Sequence, residues 1–433
     1  MSTTKKLNLK ELIAMGVGGM VGGGIFSVLG LSIDLAGHAA YIAFAIGGII
    51  ALLTGISYSK LGLQFRSDGG SFTYLEHAFK NKNVAGIGGW LLIVGYIGTL
   101  SLYAFTFSAY GAALSSQAEY VGAIRHLLSS LIILIFLGIN LYGIKAAGET
   151  EELIVMVKVF LLLLFGVIGL YSLQTEKILP VFDKSVNGVL VGAALIFVAY
   201  EGFELIPNAI HEMENPGKNL RKAIIYSILI TLVIYILVSL VAIGNLTPAE
   251  IHKYKEYALA VAANPFLGHL GFVLISLAAI LSTSSAINAT MFGTARLAMV
   301  MSQEKDLPKV FSYKERTKDI PYISLIIISA VTIIFVNIAD LTIISSFASS
   351  TFLLIFASIN IAALRLKDVI KINLAVPLTG FILSIISWVI LYVYLWQTNR
   401  RQLIWVIIFY LTIIVVELLF SERKLIKGSK KKM

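Results

Sequence analysis

A chain of 433 residues that is 58% hydrophobic and only 13% charged is not composed like a soluble protein, since soluble chains run near 25% charged. The absence of cysteine excludes disulfides and thiolate metal sites. The formal charge of +10 needs no nucleic-acid partner if the basic residues gather on one side of a bilayer.

A mean hydropathy of +0.88 and about twelve apolar stretches near 20 residues long describe an all-α membrane protein built as one unit. The spans are expected at 9–33, 40–64, 84–113, 123–143, 149–172, 187–211, 221–245, 267–300, 321–338, 341–364, 373–396 and 402–421. Met1 to Lys10 is basic, but the apolar run after it is too long for a cleavable signal and no small-residue site follows. Assigning loops alternately puts most lysines and arginines on the side of both termini, which the positive-inside rule makes cytoplasmic. The basic tail, 422–433, reads as a topology anchor, with anionic-lipid contact as the second reading.

The first span contains GVGGMVGGGIFSVLG, residues 16–30. Glycine costs roughly 1 kcal/mol per residue in a helix, and the triplet Gly22-Gly23-Gly24 frees backbone groups that hydrocarbon cannot satisfy. A break at that depth predicts protein or a watery cavity facing it, and hence a small polar solute. The first span ends near Asp34 and Gly37. After the second span, Gly69-Gly70 make a turn and Phe72 to Phe79 read as an interfacial amphipathic helix. The third span is rich in small and aromatic residues (Trp90, Gly95, Tyr96, Gly98, Tyr103), which packing explains adequately.

Lys158 lies in the fifth span, some nine residues from the nearer end and so about 13 Å deep. A lysine stem reaches roughly 6 Å, short of the interface. A charge at mid-bilayer costs at least ~2.5 kcal/mol. Unless the lysine lies nearer the interface, it is a functional cation or a proton carrier. The sixth span, LIFVAYEGFELIPNAI, is interrupted by Gly202 and Pro207 and carries Glu201 and Glu204. An intact helix would set these acids one turn apart on one face, where two like charges resist joint ionisation. The blander alternative has them binding freed backbone or pairing with a cation such as Lys158.

Residues 247–266 are long for a loop, and KEYALAVAANPF is helix-like, so a lid is expected there. The eighth span holds LSTSSAINATMFG, with Ser282 and Ser285 on one face. Hydroxyls in membrane helices often bond back to the i−4 carbonyl, yet together these suggest a polar lining. Spans nine to twelve read as scaffold. Two interrupted helices standing five apart are the signature of a five-plus-five inverted repeat, 9–172 and 187–364, with 373–421 appended. Half-helix N-termini offer N–H donors to an anion and C-termini offer carbonyls to a cation. An amino acid zwitterion carries both.

These residues resemble the amino acid–polyamine–organocation superfamily of permeases over nearly the whole chain. The resemblance is carried by GVGGMVGGGIF, SYSKLG with SDGGSFTYL, NLYGIKAAGETEELIVMVK, FVAYEGFE with ENPGKN, and SSAINATMFGTARLAMVMSQEKDLPKVF. It implies a LeuT-like fold and is similar within the superfamily to the archaeal-type, proton-coupled, sodium-independent amino acid transporters with a lysine in the fifth helix. By that resemblance Lys158 stands where sodium-coupled relatives bind sodium, beside the Gly18 and Val21 carbonyls and Ser282, with Ser285 and Glu204 joining the proton-coupling group. The solute carboxylate would meet the N–H groups of Gly22, Gly23 and Gly24, between Val21 and Ile25. Its amino group would meet carbonyls near Phe197, Ala199 and Tyr200, with Phe197 as lid and Phe203 on the side chain.

Two prolines usual in the superfamily are missing, one where Ser67-Asp68 stand and one in NLRKAI. Glu201 departs more consequentially, because an acid beside the pocket favours a cationic substrate or a second proton site. The expected function is therefore inward proton-coupled symport of L-amino acids across the cell membrane, without a cofactor other than the proton gradient. The alternative is exchange of cationic amino acids or polyamines. A membrane enzyme is disfavoured because HExxH, GxSxG, Walker A and dinucleotide-binding spacings are all missing. A nutrient sensor is disfavoured by the short tails.

Overall fold

A computed structural model describes residues 6–67, 69–115, 121–143, 148–303, 307–315 and 320–420. Asp68 and the basic tail lie outside them. Helices follow one another without a strand among the described residues, because in hydrocarbon a helix satisfies its own backbone groups.

The order is α1 (Leu9–Met20), α2 (Gly24–Ala36), α3 (Ala40–Phe65), α4 (Gly70–Ala78), α5 (Lys82–Leu114), α6 (Val121–Tyr142), α7 (Gly148–Tyr171) and α8 (Val186–Leu195). It continues with α9 (Pro216–Asn245), α10 (Pro248–Tyr254), α11 (Ala258–Gln303), α12 (Tyr322–Ile338), α13 (Leu341–Arg365), α14 (Lys367–Ile370), α15 (Ala375–Thr398) and α16 (Arg400–Phe420). Among the described residues, ten stretches are long and apolar enough to cross a membrane, one of them holding α2 and α3 together. With that stretch divided and the 17-residue α12 added, the twelve expected spans are present.

Both expected interruptions occur. The first span is α1 and α2, parted at Val21–Gly23. The sixth is α8, a 3-10 turn over Ile196–Tyr200, an extended Glu201, and a second 3-10 stretch over Phe203–Ala209. The eighth span differs from expectation: α11 starts at Ala258 and bends at Gly268, where φ is +61°. The helix-like lid sequence is thus the first arm of α11, preceded by α10.

The two breaks lie at the centre because the long helices enclose them. α5 packs along α11, α3 along α9, and α13 along both α5 and α15. Where the breaks meet, backbone touches backbone. A Cβ on Gly19 would stand 3.0 Å from Gly202 Cα, and one on Gly24 would stand 2.6 Å from Ala199 Cα. Only glycine lets two interrupted chains approach so closely. At one end the chain start is tied to the end of the sixth span: Leu7 N–H donates to Glu212 O at 2.7 Å and Glu214 N–H to Leu7 O at 2.9 Å. Asn8 and Glu11 then form a capping box that starts α1.

Candidate solute site at the two helix breaks

A helix ending inside a membrane protein must place its last carbonyls somewhere. At the end of α1 each has a partner. Val17 O accepts from Val21 N–H at 2.8 Å and Gly19 O from Gly22 N–H at 3.1 Å. Gly18 O accepts from the Lys158 ammonium at 2.8 Å, and Met20 O from the Tyr235 hydroxyl at 2.7 Å. Ser282 on α11 donates to Val21 O at 2.5 Å and also contacts Gly22 O. The first break is therefore held by side chains from α7, α9 and α11. Lys158, at 1% exposure, is fully withdrawn from the surface near the middle of α7.

The start of α2 offers the opposite polarity. Its first intrahelical bond is Ser27 N–H to Gly23 O at 2.9 Å, so the N–H groups of Gly24, Ile25 and Phe26 have no acceptor within the helix. The positive end of the helix dipole adds to them. Tyr103 of α5 lies over the glycines, and Ala286 of α11 stands beside Gly22.

The second break is organised in the same way. Ser349 of α13 donates to Leu195 O at 2.6 Å and accepts from Val198 N–H at 3.0 Å. Tyr235 reaches Ala199 O at 2.9 Å, so one hydroxyl bridges both breaks. Tyr200 donates to Phe44 O at 2.7 Å. Phe197 and Phe203 pack on Phe356 with ring centroids 5.4 and 5.2 Å apart, forming an aromatic wall next to the break.

The two acids do not share a helical face, because Glu201 is extended (φ −68°, ψ 143°) and Gly202 turns at φ +126°. Each is 2% exposed and each has its own partners. Glu201 accepts from Thr99 at 2.7 Å. Glu204 accepts from the freed Gly202 N–H at 2.7 Å and from Tyr96 at 3.4 Å. Glu204 thus binds freed backbone, the blander of the readings open to it.

The structure brings Gly18, Val21, Gly22, Lys158 and Ser282 together at the first break, and Phe197, Ala199, Tyr200, Glu201, Phe203 and Glu204 at the second. Gly24 packs on Ala199 where the two breaks meet, while Gly23 faces Tyr103 and Thr283, and Ile25 is buried at the start of α2. Ser285 is half-buried, and no described hydrogen bond brings it to the break. Reading spans nine to twelve as plain scaffold is corrected by Ser349, since α13 supplies a polar partner to the sixth span. Tyr96, read from sequence as packing, also donates to Glu204, and neither Tyr235 nor Thr99 stands out in the sequence. Tyr235 sits in an apolar run of α9, and nothing local distinguishes it from a packing tyrosine.

The family model described as amino acid permease matches residues 7–418. The chain belongs to the amino acid permease family. This permease is 34% identical over 420 residues, 96% of each chain, to an uncharacterized protein of Methanocaldococcus jannaschii. It is 29% identical to the inner membrane transport protein YbaT of Escherichia coli, over 97% of each chain. It is 27% identical to the serine/threonine exchanger SteT of Bacillus subtilis over 312 residues, 70% of this chain and 69% of that one. The permease is accordingly a multi-pass membrane transporter of amino acids and not an enzyme.

Proposed function

We propose that this permease carries L-amino acids into the cell together with protons, without sodium, by alternating access of a five-plus-five inverted repeat whose two breaks hold the solute. Both termini lie in the cytoplasm, by the distribution of basic residues. The observation that carries the reading is the Lys158 ammonium on the Gly18 carbonyl at 2.8 Å. A cation supplied by the protein itself bonds the C-terminal end of a half-helix, where a bound metal cation would otherwise serve. When Lys158 is protonated it ties α1 to α7. Once deprotonated, its nitrogen gains a lone pair and loses its charge, which weakens that bond. The solute carboxylate is met by the start of α2 and its ammonium by the carbonyls from Phe197 to Tyr200.

A second reading, exchange of cationic amino acids or polyamines, is favoured by Glu201, a buried carboxylate at the second break. Uptake of labelled amino acids into proteoliposomes in sodium-free buffer separates them. Stimulation by an inward proton gradient is the expected result. Uptake that requires an internal amino acid or amine instead would replace symport by exchange, and dependence on sodium would remove Lys158 from the cation's place.

A further inference from the structure

Away from the breaks, the structure holds a cleft of about 670 Å³ between α12, α13 and α16. α16 is held to the bundle by a small separate core, Val94, Phe347, Val406 and Ile413, against which Phe335 of α12 packs. The 17-residue α12 is short for a spanning helix, about 25 Å against roughly 30 Å of hydrocarbon, so it cannot close the gap along its full depth. The cleft wall is apolar and turned outward: Ile334 is 61% exposed, Ile338 76% and Trp405 62%. In a bilayer that surface faces lipid.

The cleft has a direction. Its apolar wall runs from Val331 to Ile338 on α12 and from Phe409 back to Arg401 on α16, roughly 10–12 Å at 1.5 Å per residue. One bilayer leaflet is about 15 Å of hydrocarbon. All its charged or amide residues, Asp340, Asn399, Arg401 and Gln402, collect at one end, where α12 turns into α13 and α15 into α16. Their capacities differ. Asp340 caps α13 by accepting from Ile343 N–H at 2.8 Å, and Asn399 accepts from Gln402 N–H at 3.2 Å. The neighbouring Arg400 stacks over Trp396 at 4.7 Å. Arg401, exposed at the mouth, is the cation of the cleft, and a guanidinium there matches a phosphate in the plane of the head groups.

We infer that this cleft binds one phospholipid of the leaflet at that end, its acyl chain lying between α12 and α16 and its phosphate on Arg401. The chemistry is that of an amphiphile with a single anionic phosphate. A free phosphate has no use for the apolar wall, and an uncharged amphiphile has none for Arg401.

The test uses the full-length protein reconstituted into vesicles of phosphatidylethanolamine and phosphatidylglycerol, then released in mild detergent for native mass spectrometry. The wild type is expected to keep one phospholipid. Arg401→Gln should retain it about tenfold less, the effect of losing one charge-assisted hydrogen bond. Val331→Trp, which obstructs the apolar wall of the cleft, should also retain less than the wild type while melting at the wild-type temperature. Release of every lipid from the wild type, or equal retention by all three proteins, would overturn the assignment. So would a dimer that Val331→Trp dissolves, since the cleft would then be a contact between copies. The inference does not depend on proton coupling, so failure of the uptake experiment leaves this measurement unaffected.

Discussion

Tyr235 illustrates how one atom can matter beyond its own helix. Its hydroxyl carries a single proton yet lies within bonding distance of two carbonyls, Met20 O and Ala199 O, one from each break. Removing it leaves buried acceptors without a donor, at about 1–3 kcal/mol. Tyr235→Phe is therefore expected to lower the melting temperature of the purified protein, and an unchanged melt would show that the bonds contribute nothing net. Lys158→Ala removes the donor to Gly18 in the same way, but its expected signature is different. Gradient-stimulated uptake should disappear, while counterflow of substrate without a gradient persists. Full stimulation with the normal pH dependence in that variant would remove Lys158 from the coupling role. These two residues were unequally legible. A lysine deep in an apolar run announces itself by its charge, whereas a tyrosine there is chemically ordinary.

At the scale of the element, the breaks depend on glycine where the backbone is tight. Gly202 has φ +126°, and a Cβ there would meet Gly19 C at 2.6 Å. Gly202→Ala is expected to store about 1–3 kcal/mol of backbone strain and to force the two breaks apart, with loss of uptake. Gly293, inside α11, has nothing within 4 Å of an added Cβ, so Gly293→Ala should stabilise by about 1 kcal/mol. Equal melting temperatures for the pair would contradict the packing described. The short helix α10, ahead of α11, gives a prediction in pH. Hydrogen bonds from the Thr247 hydroxyl and N–H hold the Glu250 carboxyl below the usual carboxylate range. A depressed value means the carboxylate form is the one that stabilises. Its contribution is present above the unfolded-state value, near 4.3, and is lost as pH falls through the lower folded value. Hydrogen-exchange protection of residues 249–254, relative to the intrinsic rate at each pH, should therefore fall in acid in the wild type. Glu250→Ala, which removes the acceptor of the capping box, should show low protection at both pH values, and retention of the acid step in that variant would assign it to another group.

Across the whole molecule, the alternating access proposed above requires contacts at one face to break. The pairing of Leu7 with Glu212 and Glu214 joins the segment before α1 to the end of the sixth span, and on that proposal it holds this face closed. Leu7→Pro removes the N–H donor to Glu212. It should raise the labelling rate of a cysteine introduced at Asn208, a clean experiment because the native chain has no cysteine. Labelling at the wild-type rate would mean that the pairing does not hold that face closed.

Apolar run length alone determined the number of spans, because hydrocarbon leaves the backbone no alternative to the helix. The glycine triplet, Gly202 and Pro207 likewise located both breaks, since each defect is local in sequence. The residues that complete the site were decided by the tertiary structure. Tyr235, Ser349 and Thr99 reach the breaks from α9, α13 and α5, across separations that no periodicity encodes. The freed carbonyls and N–H groups at a break must each find a partner, but which distant hydroxyl supplies it depends on how the helices pack.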